Sequence, residues 1–382
     1  MMILPGKTLG MLGGGQLGRM FTMSARTMGY KVIVLDPADN CPAGEIANFH
    51  IKADYENKEA LAELGHKCDA VTTEFENVPA ETLRYLTAFT QVHPTASNVA
   101  IAQDRMLEKQ FMKENGFPIG PYTNITSHSD ILSALTSVGL PSVLKLCRLG
   151  YDGKGQTTVF NEAEAHNAFD SLGRKPCVME KLLTLDAEVS VIVARTHNET
   201  EVYPVSENRH VNAILDMSIV PARIERKLAE EVRSIAVNIT HKMNYQGVMG
   251  VEFFIVAGKP YVNEIAPRPH NSGHYTQDAC ITSQFEQQVR TLCSLPLGSS
   301  SLLTPVVMIN LLGDLWSHGE PDWRKVFTHP QAKLHLYGKH TARPGRKMAH
   351  INCIGNSIKN ALATAEEIKQ TLSRNTSLAN NF

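Results

Sequence analysis

The densest group of reactive side chains lies between Val251 and His274, in the run VEFFIVAGKPYVNEIAPRPHNSGH. Val251–Val256 and Pro260–Glu264 are expected to form two strands joined through Ala257–Lys259, with Gly258 at the turn. Glu252 and Glu264 are both six residues from Gly258, so a symmetric hairpin sets them opposite each other. Cross-strand neighbours on one face lie about 4.5–5.5 Å apart. Two carboxylates that close repel unless a cation sits between them. Hard oxygen donors suit Mg²⁺, which takes one or two carboxylates and completes its shell with phosphate oxygens. A solvated hairpin with two exposed acids is the plain alternative. Against it, Glu252 lies inside an apolar run, Glu264 precedes Ile265 and Ala266, and Asn263, Arg268, His270, Asn271 and His274 crowd the stiff segment that follows.

Other segments must bring partners to these acids. Thr8–Leu12 and Lys31–Leu35 read as strands around Gly13-Gly14-Gly15-Gln16-Leu17-Gly18 and a helix, with Asp36 ending the second strand. Alone this G-x-G-x-x-G predicts a dinucleotide site. Its physical content is narrower: a close backbone approach and helix N–H groups offered to an anion. A packing turn is the alternative. Ala70–Phe75 is a further strand, and Glu76 beyond it is expected either to meet a substrate hydroxyl or to cap the helix near Pro79. Arg105 opens an amphipathic helix over Asp104–Asn115, as a phosphate ligand or a surface charge. Lys145 stands within the strand Ser142–Cys147, where burial is costly without an anion. Gly150–Gln156, GYDGKGQ, lies between strands and lacks the GK[ST] of a Walker loop, so a flap over phosphates is expected, with a plain turn as the alternative. Lys339–Lys347, KHTARPGRK, is a basic turn suited to phosphate or carboxylate, or simply solvated.

A chain of 382 residues predicts two or three domains. Net charge is −1 from 37 basic and 38 acidic residues, which provides no field to draw the protein to nucleic acid or membrane. Seven scattered cysteines without a C-x-x-C pair fit reduced thiols in a cytoplasm. No apolar stretch approaches the roughly 18 residues of a membrane span, and the start carries no secretory pattern.

Lys145 on a strand, the flap, Glu180-Lys181-Leu182-Leu183 and the Glu252/Glu264 pair occur in the order of an ATP-grasp enzyme. More closely, GGGQLGRM (13–20), TTEFENV (72–78), GYDGKGQ (150–156), VEFF (251–254), NEIAPRPHNSGH (263–274) and RPGRK (343–347) resemble the N5-carboxyaminoimidazole ribonucleotide synthases of purine synthesis. The resemblance implies an α/β and α+β architecture: a Rossmann-like (pre-ATP-grasp) domain over 1–102, an ATP-grasp fold over 103–298 with its flap subdomain at about 120–185, and a small β-rich C-terminal domain over 299–382. It implies an ATP-dependent carbon–nitrogen ligase that carboxylates 5-aminoimidazole ribonucleotide with bicarbonate through carboxyphosphate. By position, ATP would be held by Arg105, Lys145, Gly150, Tyr151, Asp152, Gly153, Lys154, Gly155, Gln156, Glu180, Lys181, Leu182, Leu183, Glu188, His210, Asn263 and Glu264. Glu252 and Glu264 would bind Mg²⁺, with Mn²⁺ as a substitute. Arg268 would hold bicarbonate, and His274 or Asp152 would orient the amine or move its proton, with Lys339 also catalytic. Gln16, Leu17, Glu76, Tyr151, Asn271, Ser272, Lys339, Arg343, Arg346 and Lys347 would surround the ribonucleotide. Under the resemblance the glycine motif cradles the substrate's end and no NAD binds. A cytoplasmic homodimer is implied.

Two positions depart from the family pattern: Leu149 where a glycine usually precedes GYDG, which bears on the flap's hinge, and Ala349 where glycine often precedes the histidine after RPGRK. Rival expectations are another ATP-grasp ligase, such as a formate-dependent glycinamide ribonucleotide transformylase or a biotin carboxylase, an NAD-dependent oxidoreductase resting on Gly13, Gly15, Gly18 and Asp36, and a non-catalytic nucleotide-binding protein.

Overall fold

The computed structural model describes residues 2–150 and 153–378. Three sheets carry the architecture. The N-terminal sheet has the order Phe49–Ile51, Lys31–Leu35, Thr8–Leu12, Ala70–Thr73, Gln91–Val92, all parallel. Its strands are near-continuous apolar runs because helices cover both faces, as parallel sheets require. One face packs Leu61, Leu64 and Leu83, the other Phe21, Val289 and Leu292. The second face draws on the helix Gln284–Leu292, from the far side of the chain, and so locks this sheet to the segment after the Glu252/Glu264 hairpin.

A four-stranded antiparallel sheet orders Tyr122–Ile125, Cys177–Lys181, Ser142–Leu146 and Gln156–Val159. Lys145 therefore stands on an interior strand, paired on both sides, and not on the edge strand that would have let it face water. Side chains alternate along Ser142–Leu146: Leu144 enters the core of this lobe, while Val143 and Lys145 face the opposite way.

The largest sheet runs through both remaining regions. Its order begins Lys259–Ala266, Gly247–Val256, Ala187–Arg195, Ser206–Val211, Ile214–Val220 and continues to Val306–Leu312, Lys347–Ile354, Ala332–Leu336. The C-terminal region is thus an extension of the central sheet, joined by the Ile214–Val220 to Val306–Leu312 pairing. The joining strand, ILDMSIV, has no counterpart in the sequence reading. Pro204 separates Thr200–Val202 from Ser206–Val211. Ala349 is fully buried in this sheet, where its methyl fills core volume.

The hairpin differs from expectation in its turn. Val256 pairs with Lys259, so the turn is the two residues Ala257-Gly258, with φ of 48° and 71°. Two successive positive φ values define the tight hairpin turn that matches strand twist. Such a turn would put Glu252 opposite Asn263. A bulge beyond Glu252 absorbs Asn263, so Phe253 pairs with Val262 and Glu252 with Glu264. The acids do face each other, because of an irregularity that composition does not announce.

Candidate active site

The four-stranded sheet and the large sheet enclose a cleft of about 800 Å³ that continues to the N-terminal sheet and the basic turn. On Gly247–Val256, alternation buries Val251, Phe253 and Ile255 against the helix Arg226–Lys242 and leaves Glu252 and Phe254 facing the cleft. Glu252 is 16% exposed and Glu264 37%. Burial and the charge of Glu264 push Glu252 up to about 7. Asn263 Nδ2 donates to Glu252 Oε2 at 3.3 Å, and His270 Nε2 lies 3.3 Å from Glu252 Oε1. The Oδ1 atom of Asn263 is buried with no hydrogen-bond partner. Among the described residues no cluster of three or more histidine, cysteine, aspartate or glutamate side chains could hold a metal. Two hard carboxylates that need further oxygen donors fit a cation whose shell phosphates complete, and do not fit zinc.

Opposite the acids lie three cations. Arg105 donates through both terminal nitrogens to Glu264 Oε2 at 3.1 Å, with Asp104 capping its helix. Lys145 Nζ is 3.2 Å and Lys109 Nζ 3.4 Å from Glu180 Oε2. Burial works to raise Glu180, but Lys109, Lys145 and Arg105 outweigh it and hold it down at about 2. Burial pulls Lys145 below its ordinary value. Cations concentrated in a low-dielectric cleft are the setting that stabilises a polyphosphate. Further along, Glu188 and His210 stand on adjacent strands with Oε2 and Nδ1 2.8 Å apart but out of hydrogen-bond alignment. Burial lowers His210, yet Glu188 more than compensates and keeps it above its usual value.

The flap begins at Leu149, whose φ of 63° is the left-handed conformation that glycine adopts without strain. The departure at this hinge therefore costs roughly 1–2 kcal/mol in backbone strain. Gly150, Gly153, Lys154 and Gln156 line the cleft, as do Lys181, Leu182 and Leu183. Gly155 is in the turn, its carbonyl accepting from Leu146 N, and is not on the cleft wall. Tyr151 and Asp152 lie outside the described residues.

At the other end, Gln16, Leu17, Glu76, Arg268, Asn271, Lys339, Arg343, Arg346 and Lys347 all line the cleft. Arg268 and Glu76 form a two-pronged pair, Nε to Oε2 and Nη2 to Oε1 at 3.2 Å, with side chains 18% and 26% exposed. Glu76 therefore does not cap the helix Ala80–Leu86, which has no side-chain cap. The basic turn is anchored by Lys339 Nζ donating to Lys347 O at 2.6 Å, Gly345 N to Asp314 Oδ2 and Arg346 Nη1 to Thr341 O.

Three expectations change. The glycine motif does not hold its amides open for a ligand. Gly15 N and Gly18 N both donate to the buried Glu74 carboxylate at 2.7 Å, and Gly14 N donates to Asp36 Oδ2 at 2.8 Å. A Cβ at Gly15 would lie 2.5 Å from Glu74 Oε1, so a side chain there would have to displace this internal acid. Asp36 also accepts from Tyr55 Oη, which leaves the dinucleotide reading with neither its phosphate cradle nor its ribose acid. Second, His274 is fully buried and off the cleft wall, between Phe285, Tyr337 and His350, with Nδ1 3.1 Å from Gln284 Nε2. Third, Ser272 is also fully buried, bonded to Ser190 Oγ at 2.6 Å and His270 Nδ1 at 2.8 Å. The imidazole of this segment that lines the cleft is His270, four positions earlier. Burial, with Arg268 nearby, holds His270 well below its usual value and so neutral. Proline on both sides of Arg268 was the available signal that Arg268 and His270 emerge together.

Behind His274 a histidine stack joins the core to the C-terminal strands. His335 and His350 rings lie 4.4 Å apart, Tyr337 Oη meets His350 Nδ1 at 2.9 Å, and His335 Nε2 meets Asp278 Oδ2 at 2.7 Å. Burial holds His274 and His350 well below the ordinary histidine value. Folded, they stay neutral where the unfolded chain takes up protons, so their stabilisation is present above about pH 6.5 and is lost as pH falls. His350→Phe removes one such group. Between about pH 7.5 and about pH 5.5 its melting temperature should drop about 2–4 °C less than the parent's. Equal drops in the two proteins would contradict this.

The fold and cleft together define an ATP-grasp enzyme. Residues 110–285 match the ATP-grasp domain model, 6–103 the ribonucleotide synthetase preATP-grasp domain and 306–364 the phosphoribosylaminoimidazole carboxylase C-terminal domain. The chain is 42% identical over 351 residues to the N5-carboxyaminoimidazole ribonucleotide synthase of Bacillus subtilis, covering 91% of this chain and 92% of that one. The Staphylococcus aureus synthetase complexed with ADP superposes with a TM-score of 0.90 at 38% identity, over 96% and 98% of the two chains. The Aspergillus clavatus synthase in complex with ADP and 5-aminoimidazole ribonucleotide gives 0.89 at 29%, over 96% and 99%. The chain belongs to the N5-carboxyaminoimidazole ribonucleotide synthase family.

Proposed function

We propose that the protein couples ATP cleavage to carboxylation of 5-aminoimidazole ribonucleotide by bicarbonate, giving N5-carboxyaminoimidazole ribonucleotide, ADP and phosphate in purine biosynthesis. The observation that carries this reading is one continuous cleft with the Glu252/Glu264 pair, Arg105 and Lys145 at one end and the Lys339–Lys347 turn at the other. A bicarbonate oxygen attacks the γ-phosphorus while the bond from that phosphorus to the β–γ bridging oxygen breaks. The carboxyphosphate so formed releases CO₂ and phosphate. The exocyclic amine then forms the N–C bond to CO₂ and gives up a proton.

Positioning and charge stabilisation are most of the protein's task in such a transfer. Glu252 and Glu264 would hold Mg²⁺, which supplies charge neutralisation on the β and γ phosphates. Arg105 and Lys145 face the same phosphates, the 180–183 backbone reads adenine, and Glu188 takes the ribose. Arg268 donates to bicarbonate, its planar fork kept in place by Glu76. His270, the neutral imidazole on the cleft, replaces His274 as the group that orients the amine or receives its proton, with Asp152 the other candidate. Because Glu74 fills the glycine motif, the ribonucleotide phosphate is assigned to Arg343, Arg346, Lys339 and Lys347.

The enzyme is proposed to act in the cytoplasm as a homodimer. The seven buried, unpaired cysteines are consistent with a reducing compartment. Among the described residues no helix is long and apolar enough to cross a membrane. Incorporation of labelled bicarbonate into an acid-labile product, dependent on both ATP and the ribonucleotide, tests the reaction. No bicarbonate label in product, with carbon from labelled formate transferred instead to glycinamide ribonucleotide, would move the protein to the rival ligase class. Arg343→Ala should raise KM for the ribonucleotide about tenfold or more and leave KM for MgATP within about twofold, since one charge-assisted contact is lost at one end of the cleft only. An unchanged ribonucleotide KM would return the basic turn to mere surface.

A further inference from the structure

Lys109 is buried more completely than any cation expected to touch ATP: its side chain is 3% exposed, and it does not line the cleft. It sits one turn along the helix from Arg105 and reaches both lobes at once. Its Nζ donates to Asn263 O at 2.9 Å, on the strand of the Glu252/Glu264 hairpin immediately before Glu264. The same Nζ is 3.4 Å from Glu180 Oε2, on the central pair of strands of the opposing four-stranded sheet. Lys145 Nζ approaches that same oxygen at 3.2 Å. The other carboxylate oxygen of Glu180 is buried with no hydrogen-bond partner.

This geometry poses a problem for nucleotide binding. Lys145 contacts a phosphate only by turning away from Glu180. Were Lys145 its sole partner, that withdrawal would be strongly unfavourable, because a buried carboxylate would be left uncompensated. Arg105 does not relieve this, since its guanidinium is engaged with Glu264. Lys109 is already in place on the same oxygen.

We propose that Lys109 is a positioning residue for ATP: anchored by its bond to Asn263 O, it keeps Glu180 partnered when Lys145 turns to the phosphates. The proposal rests on the ATP-grasp reading of the cleft. It assigns Lys109 no contact with substrate.

Lys109→Met keeps the length and removes the charge. Glu180 then retains Lys145, and affinity for ADP·Mg²⁺ by calorimetry should fall about tenfold, with KM for MgATP rising in parallel and KM for the ribonucleotide unchanged. Glu180→Gln removes the anion that traps Lys145. The double variant Lys109→Met/Glu180→Gln should therefore bind ADP·Mg²⁺ within about threefold of Glu180→Gln alone. Such non-additivity is the signature of two residues in one network. A purely structural role would lower the melting temperature and affect both substrates alike, with no rescue in the double variant, and that result would overturn the proposal. So would an unchanged affinity in Lys109→Met. If Lys109→Met does not fold, the double variant, with no lone buried charge, carries the test alone: affinity tenfold below Glu180→Gln would overturn it. Wild-type protein that fails to bind ADP·Mg²⁺ would instead defeat the ATP reading itself, separately from Lys109.

Discussion

Glu264→Gln is expected to lower ATP turnover by about a thousandfold or more while ribonucleotide affinity stays within about threefold. The size follows from the chemistry assigned to the pair. A cation held there would neutralise phosphate charge and supply several kcal/mol to the transition state, and each 1.4 kcal/mol is about tenfold in rate. The amide preserves shape and removes the charge that, with Glu252 directly across the hairpin, would make the proposed metal site. It also takes the anion from Arg105, whose two nitrogens both reach Glu264 Oε2. The ribonucleotide is proposed to bind at the other end of the cleft, at Lys339–Lys347. Steady-state kinetics with varied Mg²⁺ and direct ribonucleotide binding read the two effects apart. Turnover near the parent's would remove Glu264 from metal binding.

Arg268→Ala is expected to lower kcat about 100- to 1,000-fold with small changes in either KM, the range seen when one preorganised donor to a developing charge is lost. The confounding effect is structural. Glu76 accepts two bonds from Arg268, and Arg268, with burial opposing, holds its carboxyl below the usual range. Without Arg268 a mostly buried carboxylate is unpaired. The double variant Arg268→Ala/Glu76→Gln separates the two: the amide should recover thermal stability and leave kcat low. Recovery of kcat together with stability would make Arg268 a structural partner of Glu76 with no role toward bicarbonate.

How far the sequence carried depended on whether a feature was local. The Glu252/Glu264 opposition, the strand placement of Lys145 and the basic turn were legible because period-two alternation and glycine placement act over a few residues. Even there the reason for the opposition differed, since a two-residue turn and a bulge at Asn263 together restore a pairing that a symmetric three-residue loop would have given. What escaped was long range. Nothing near Gly15 indicates that Glu74, 59 residues away, fills its amide. Nothing near Arg268 points to Glu76, 192 residues away. His274 and His270 are chemically equal in the sequence, and only the burial of one behind Tyr337 and His350 separates them. Ile214–Val220 was missed although it is apolar, because a short apolar run has no period that distinguishes a buried strand from other buried segments. It is the strand that makes the C-terminal region part of the central sheet.

The central claim is that one cleft couples ATP to a ribonucleotide amine. ADP release, measured with MgATP and bicarbonate in the presence and absence of 5-aminoimidazole ribonucleotide, tests it most directly. The account predicts strong stimulation by the ribonucleotide, with one acid-labile carboxylate formed per ADP. ADP release indifferent to the ribonucleotide would contradict it, and would leave an ATP-grasp fold serving a different acceptor.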